Sequence, residues 1–202
     1  MSRPDAPPAS TDQLAELLVH IGRSARGEDT GGAAPLTAAQ WTALRFFARA
    51  NRASRTPSAF ASFQATTRGT ASQTIKTLES RGLLERRRAE HDRRSVRFEV
   101  TGDGHALLAR DPLRHLTAAI ARLDEAGRAA LARLLPELAA DLARERGTSA
   151  IGTCENCHHY EDRGQGGYCA CVAMNLAPFE IGQLCVRYTP EPGTPPKAAN
   201  GG

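Results

Sequence analysis

Five cysteines lie close together near the end of the 202-residue chain, and none lies before them. They are Cys154, Cys157, Cys169, Cys171 and Cys185. Thiolates bind soft metals strongly, and a Cys-x2-Cys pair on a tight turn points two sulfurs at one centre. More distant cysteines then complete the coordination. This clustering predicts a bound metal centre in the segment.

The composition indicates the cellular compartment in which such a metal centre would form. Charged residues make up 24% of the chain and hydrophobic residues 41%, and no apolar run approaches the roughly 20 residues that a membrane span needs. The first eleven residues are rich in Pro, Ala and Ser and carry no apolar signal segment. These features predict a cytoplasmic protein with no membrane partner. Thiols stay reduced in the cytoplasm, which favours metal ligation over disulfides.

Helical spacing and capping residues predict two helices in about the first 50 residues. The first helix is expected to have Thr11 or Asp12 as its N-cap and to end near Gly27. A Gly-rich linker covers residues 27–35, after which Thr37 is a suitable N-cap for the second helix.

A helix-turn-helix is predicted next along the chain. A short helix over residues 57–63, a loop over 66–69 and a helix over 70–80 give the pattern, with Ile75 and Leu78 facing the core. The second of these helices carries hydrogen-bonding side chains suited to base edges and phosphates. They are Ser72, Gln73, Thr74, Lys76 and Thr77.

Two strands joined by a basic loop predict a β-hairpin wing after this motif. A helix in the major groove beside a hairpin that carries arginine into the minor groove is a DNA-binding arrangement. The wing arginines expected to contact DNA are Arg86, Arg88, Arg93 and Arg94. Asp92 lies two residues before Arg94, and its carboxylate is expected to hold the wing in shape. The alternative is a solvated charged turn, but the charge coincides with the hairpin, which favours DNA.

The predicted fold class is mainly α with a small β-hairpin. Residues 112–146 are rich in Ala, Leu and Arg with helical periodicity, and Gly127 and Pro136 are expected to divide or kink this region. The predicted organisation is a disordered start at residues 1–10, a winged-helix DNA-binding domain at 11–146, a cysteine-rich segment at 147–189 and a disordered tail at 190–202.

Three stretches in this order resemble the MarR family of winged-helix regulators. Leu36–Trp41 is similar to the family's "LTxxQ" entry helix, Leu78–Leu84 to its "LExxGL" junction and His91–Ser95 to its "DxR" wing. The likeness covers about residues 11–146. It implies a homodimer in which the first helix and the helices of 112–146 pack across a two-fold axis. Two recognition helices would then read a pseudo-palindromic operator in double-stranded DNA.

The spacing Cys154-x2-Cys157-x13-Cys171-x13-Cys185 suits either tetrahedral zinc or a 4Fe-4S cluster. Zinc ribbons usually repeat the close pair, whereas here the third and fourth cysteines are single, which favours the cluster. An alternative ligand set uses Cys169 and leaves Cys171 free.

The segment from Cys154 to Pro190 also resembles the high-potential iron–sulfur proteins. The matching pieces are Cys154–Tyr160, Gly166-Gly167 and Gly182–Pro190. This resemblance implies that Cys154, Cys157, Cys171 and Cys185 ligate the cluster and that Cys169 is spare. Four aromatic side chains are available to shield a cluster from water or to form a small core around any metal. They are Tyr160, Tyr168, Phe179 and Tyr188.

Together these features predict a DNA-binding transcription regulator of the repressor type. Its 4Fe-4S cluster is expected to sense redox state, oxygen, nitric oxide or iron supply. The main alternative is a zinc-stapled regulator that responds to a small ligand bound between the helices and the DNA-binding lobes. An electron carrier is a third possibility, which the dense wing arginines disfavour. No enzyme is expected, because the sequence offers no phosphate loop, no nucleophile with a nearby base and no paired carboxylates in a pocket.

Overall fold

The computed structural model describes residues 9–25, 36–88 and 96–190 of the chain. This part is mainly helical, with a two-stranded and a three-stranded antiparallel sheet. In chain order its elements are α1 (Thr11–Ser24), α2 (Ala38–Arg49), α3 (Pro57–Phe63), α4 (Arg68–Ser80), β1 (Leu84–Arg88), β2 (Val96–Val100), α5 (Gly102–Leu108), α6 (Arg114–Ala121), α7 (Glu125–Glu145), a 3-10 turn (Cys154–Asn156), β3 (Tyr160–Asp162), β4 (Gly167–Cys169), β5 (Met174–Leu176) and α8 (Pro178–Ile181).

Capping boxes fix the starts of the first two helices. Ser10 caps α1, because its Oγ accepts from the Gln13 N–H at 3.2 Å while Gln13 Oε1 accepts from the Ser10 N–H at 2.9 Å. The predicted cap at Thr11 or Asp12 is therefore wrong by one or two residues. Thr37 caps α2 as predicted, paired in the same way with Gln40.

The core is built from the buried face of α2 packed on α3, α4 and the wing. The ring centroids of Phe46 and Phe60 lie 5.5 Å apart, and those of Phe47 and Phe98 lie 5.9 Å apart. Each of these buried rings stabilises the fold by roughly 1.5–3 kcal/mol. Val186, which follows the last cysteine, is a member of the same buried cluster. The core therefore joins the helix-turn-helix, the wing and the end of the cysteine segment.

Local signals at both ends of α4 set the position of the wing. Thr67 Oγ1 accepts from the Thr70 N–H at 3.2 Å, so α4 begins at Arg68, two residues earlier than predicted. At its other end Gly82 has a φ of +70°, and the Leu83 N–H bonds the Leu78 carbonyl at 2.9 Å. The chain then enters the predicted hairpin, whose register runs from Leu84 opposite Val100 to Arg88 opposite Val96.

The helical region after the wing divides at a different place from the predicted one. Asp124 caps α7 by accepting from the Gly127 N–H at 2.7 Å, so the break lies before Gly127 and not at it. Helix α7 continues through Pro136. A proline removes one N–H donor, and the flanking Ala- and Leu-rich turns carry the helix past it.

Helices α1 and α7 bury no residue within this chain. Several of their apolar side chains are exposed, namely Leu14, Leu17, Leu18, Val19, Ile21, Leu134, Leu135, Leu138 and Leu142. Within the described ranges, no helix combines the length and the apolar character needed to span a membrane.

Candidate functional site

Helix α4 presents a polar face beside the wing. Ala71, Ile75 and Leu78 are buried, which confirms the inward side predicted for Ile75 and Leu78. Among the predicted DNA-contacting residues, Gln73 and Lys76 are exposed, and Ser72, Thr74 and Thr77 are half-buried.

The hydroxyls of this face are partly engaged by the helix itself. Thr74 Oγ1 donates to the Thr70 carbonyl at 3.1 Å, and Thr77 Oγ1 donates to the Gln73 carbonyl at 3.0 Å. Their oxygens can still accept hydrogen bonds, but their protons already have partners. Gln73 and Lys76 are therefore the side chains of this predicted set best placed to donate to DNA.

The wing arginines differ in their surroundings. Arg86 is exposed and lies on the strand face of Leu84, directly across from Phe98. Arg87 lies on the opposite face, where it pairs with Glu85 and with Glu99 at 3.7 Å.

Four other predicted wing positions fall at or beyond the edge of the described hairpin. Arg88 ends β1, opposite Val96. Arg93, Arg94 and Asp92 lie outside the described residues, and their predicted roles stay predictions.

The cysteine segment docks on the loop between α2 and α3. The Asn51 N–H donates to the Leu184 carbonyl at 2.9 Å, and the Leu184 N–H donates to the Arg49 carbonyl at 2.9 Å. The Val186 N–H donates to Ser54 Oγ at 3.3 Å. Asn51 and Ser54 are buried, with 2% and 1% of their surface exposed. Main-chain pairing and buried polar groups thus join the last cysteine's neighbours to the entrance of the helix-turn-helix.

An ionic contact extends this docking surface. Arg52 Nε lies 3.4 Å from Glu180 Oε1, and its Nη2 donates to the Asn175 carbonyl at 3.2 Å. Glu180 is 4% exposed, and its other oxygen accepts from the Ala177 N–H at 3.0 Å. A buried carboxylate needs such partners, so the pair fixes α8 against the loop.

The same loop also holds the wing. The Phe98 N–H donates to the Arg55 carbonyl at 2.9 Å, and Arg55 Nη1 lies 3.9 Å from Glu99 Oε1. Arg55 Nε donates back to the Ala50 carbonyl at 2.9 Å, and Thr56 caps α3. Residues 50–56 therefore contact the cysteine segment, strand β2 and the helix-turn-helix at once.

The cysteines have unequal environments. Cys154, Cys157 and Cys185 are buried, Cys169 is half-buried, and Cys171 is exposed. Burial, together with the nearby charges of Cys185, Cys169 and Cys157, raises the pKa of Cys154 to about 12, and a hydrogen bond from the Asn51 side chain acts in the opposite direction. Cys154 therefore shares its surroundings with three other thiols.

Main-chain donors point at two other sulfurs. Burial raises the pKa of Cys169, while hydrogen bonds from the backbone of Val172 and Cys171 lower it. Cys185 Sγ accepts from the Arg187 N–H at 3.4 Å. Hydrogen bonds to sulfur favour the thiolate form and tune thiolate-bound metals.

Soft thiolate donors that are shielded from water suit zinc or an iron–sulfur cluster, so the donor chemistry fits either group. Over the described residues, no three His, Cys, Asp or Glu side chains stand close enough to hold a single metal ion as they are placed. Phe179, predicted as part of an aromatic shield, is 72% exposed and does not cover this group.

Comparison with known proteins bears on the fold around this site. Residues 34–95 match the model of the MarR family. The chain also superposes on FabT from Streptococcus pneumoniae in complex with DNA, with a TM-score of 0.50, 23% identity and coverage of 67% of this chain and 99% of FabT. For the transcriptional regulator SlyA the TM-score is 0.53 at 19% identity, over 65% of this chain and 95% of SlyA. A search of curated protein sequences found no significant match.

The described fold is thus a MarR-like winged helix, as the sequence motifs predicted. The family match ends at residue 95, before the first cysteine.

The MarR-like helix-turn-helix exposes two residues that sequence reasoning missed. Arg68 and Thr70 lie exposed in the first turn of α4, the end from which a recognition helix contacts bases. Placing the helix start at residue 70 hid them. The threonine N-cap at Thr67, three residues before Thr70, was the available signal.

A cavity of about 480 Å³ lies between α2, α5 and α6 of the MarR-like domain. Arg45 Nη1 donates to Asp111 Oδ1 at 2.8 Å in its wall. The other lining residues are Ala48, Arg49, Leu108, Leu113, Arg114, Thr117, Ala118 and Ala121.

Proposed function

We propose that this protein is a DNA-binding transcription regulator of the MarR type. The observation that carries the proposal is the polar face of α4, on which Gln73 and Lys76 are exposed, in a MarR-like winged helix. FabT, which has the same fold, is known in complex with DNA. In this chain Ser72, Gln73, Thr74, Lys76 and Thr77 face the major groove, and Arg86, Arg88, Arg93 and Arg94 approach the backbone or the minor groove. Asp92, which lies outside the described residues, keeps its predicted role in shaping the wing.

The working form is a cytoplasmic homodimer on a pseudo-palindromic operator. Exposed apolar side chains on α1 and α7 support this form, because a stable surface rarely leaves so many leucines in water. A second copy of the chain would cover them and bring two α4 helices to successive major grooves.

Metal bound by the cysteine segment controls DNA binding in this proposal. Cys154, Cys157 and Cys185 belong to the ligand set, and Cys171 is the fourth ligand implied by the resemblance to high-potential iron–sulfur proteins. A 4Fe-4S cluster would supply one-electron redox chemistry and sensitivity to oxygen or nitric oxide. Occupancy of the metal site would then decide whether the segment is folded, because so short a segment has little core of its own.

Residues 50–56 link this segment to the DNA-binding surface. Leu184 and Val186 are bonded to Asn51 and Ser54, and the same loop bonds strand β2 at Phe98. A change in the folding of the cysteine segment alters the support of both α3 and the wing. A coupling of about 1–3 kcal/mol between metal state and DNA affinity suffices for a switch.

The direct test begins with duplexes selected from a random pool by the full chain purified without oxygen. Fluorescence anisotropy then gives the affinity over a range of salt concentrations. We expect one enriched pseudo-palindromic sequence, an affinity that falls steeply with salt, and a marked loss in the double variant Gln73→Ala, Lys76→Ala. Selection without any enriched sequence would reject the proposal.

Regulation by the metal is tested on the same duplex. The bound group is identified by its metal content and by absorbance at about 400 nm, where thiolate-to-iron charge transfer is expected. We expect metal-loaded and metal-free protein to differ in affinity by about 5- to 150-fold. Equal affinities would reject control by the metal, but they would leave the proposal that the protein binds DNA standing.

A second candidate is a zinc-stapled MarR-type regulator that responds to a small molecule. The cavity beside Arg45 and Asp111 favours it, since a polar pair in a pocket of this size suits a small ligand. About one zinc and no iron per chain, with DNA affinity insensitive to oxygen, would support this candidate over the cluster.

A further inference from the structure

We infer that Cys169, and not Cys171, is the fourth metal ligand beside Cys154, Cys157 and Cys185. The inference rests on the proposed metal centre and changes its ligand set. The resulting spacing is Cys-x2-Cys-x11-Cys-x15-Cys instead of two equal intervals. Cys171 then contributes its backbone N–H and keeps its thiol outside the coordination sphere.

Main-chain bonds hold Cys169 next to the Cys-x2-Cys turn. Cys169 ends β4 directly opposite Tyr160 in β3, and the Tyr160 N–H bonds the Cys157 carbonyl at 2.9 Å. The Cys157 N–H in turn bonds the Cys154 carbonyl at 3.1 Å. Strand pairing and turn therefore place these three cysteines in one continuous hydrogen-bonded unit.

Cys185 reaches the same unit from the other side. Its N–H donates to the Gly152 carbonyl at 2.7 Å, and the Gly152 N–H returns a bond of 3.3 Å to the Cys185 carbonyl. This isolated antiparallel bridge brings Cys185 to a point two residues before Cys154 along the chain.

Cys171 lies in the turn that reverses the chain. Residues 170–173 join β4 to β5, with Cys169 and Met174 paired across the base of the turn. Ala173 takes a φ of +48°, which completes the reversal. The turn carries Cys171 away from the sheet, and it is the one exposed cysteine of the five.

The hydrogen bonds to sulfur also distinguish Cys169 from Cys171. The backbone of Cys171 and Val172 donates to Cys169, as the Arg187 N–H donates to Cys185 at 3.4 Å. Donors two and three residues after a cysteine stabilise a thiolate and lower the electron density that it passes to a metal. The turn is therefore arranged around the Cys169 sulfur.

Two variants of the full chain, Cys169→Ser and Cys171→Ser, test the assignment. Both are purified without oxygen and assayed for iron, sulfide and zinc per chain. We expect Cys171→Ser to keep the wild-type metal content and Cys169→Ser to lose most of it. Retention in Cys169→Ser together with loss in Cys171→Ser would overturn the inference, and so would full retention in both variants.

Alkylation of the metal-loaded wild-type protein keeps the test independent of how the variants fold. Iodoacetamide followed by peptide mass spectrometry should modify Cys171 while the metal content stays unchanged. Modification of Cys169 with protection of Cys171 would overturn the assignment. If the wild type carries zinc and no iron, the 4Fe-4S cluster is excluded. Metal content and alkylation then decide whether Cys169 or Cys171 binds the zinc. If the wild type binds no metal, both this inference and the proposed control by metal fail. The DNA selection experiment still tests whether the protein is a DNA-binding regulator.

Discussion

The main-chain N–H of Asn51 donates a 2.9 Å hydrogen bond to the carbonyl oxygen of Leu184. This bond joins the end of α2 to the residue before the last cysteine. The Asn51 side chain extends the link in both directions, since its Oδ1 accepts from the Ser54 N–H at 3.0 Å and its amide bonds Cys154. One buried residue thus contacts the cysteine group and the loop that leads into the helix-turn-helix.

Replacement of the Asn51 side chain should lower the stability of the whole fold. We expect Asn51→Ala to lower the free energy of unfolding by roughly 1–3 kcal/mol, because it removes buried hydrogen bonds. Urea denaturation of the full chain measures the change. Asn175→Ala is the matched control, since Asn175 is exposed and its contact with Arg52 is through its main-chain carbonyl. Equal losses in the two variants would contradict a special role for Asn51.

The wing provides a matched pair of arginines. Arg86 is exposed, whereas Arg87 is paired with Glu85 and Glu99. We expect Arg86→Ala to weaken DNA binding several-fold and to reduce the salt slope by about 1, as loss of one phosphate contact does. Arg87→Ala removes the same charge and should have a smaller effect. Affinity measured by anisotropy at several salt concentrations compares them, and a larger effect in Arg87→Ala would speak against this view of the wing.

Dimer formation depends on the exposed face of α7 in our proposal. Leu138 and Leu142 are one helical turn apart and are 49% and 55% exposed in the single chain. Burying them against a second copy should contribute roughly 1.5–3 kcal/mol each. The double variant Leu138→Glu, Leu142→Glu is therefore expected to weaken the dimer at least about a hundredfold.

Light scattering coupled to size-exclusion chromatography measures that change in mass. Asp141→Ala, on the same helix, serves as the control, since Asp141 is exposed and bonds Arg144 at 2.9 Å. A wild-type monomer, or a double variant that stays dimeric, would exclude this face as the interface.

Close packing at Gly152 gives a prediction about the cysteine segment itself. A Cβ at this position would lie 2.7 Å from the Tyr188 ring, and the two bonds to Cys185 prevent the backbone from moving away. We expect Gly152→Ala to cost about 1–3 kcal/mol by overpacking and to accelerate metal loss.

Thermal unfolding and the rate of metal release to a chelator test this expectation. Gly102→Ala is the control, because nothing lies within 4 Å of a Cβ there. Similar metal-release rates in the two variants would show that the Gly152–Tyr188 contact does not support the metal segment.

Local patterns accounted for much of the winged helix. The Thr37 cap, the inward spacing of Ile75 and Leu78, and the hairpin after Gly82 were all predicted, because each depends on neighbours within one or two turns of the chain. The errors at Ser10 and Thr67 arose because neighbouring residues can also cap a helix, and the error at Asp124 arose because Gly127 was taken as the break.

The sequence by itself determined that a MarR-like winged helix is followed by a group of thiols suited to metal. Only the tertiary structure decided which surface that group contacts and how its cysteines differ. Spacing cannot distinguish Cys169 from Cys171, because the difference comes from a turn that leaves the Cys169 side chain half-buried and the Cys171 side chain exposed. Nor can it predict the contact of Leu184 with Asn51, which joins residues far apart in sequence through backbone groups that carry no residue-specific signal.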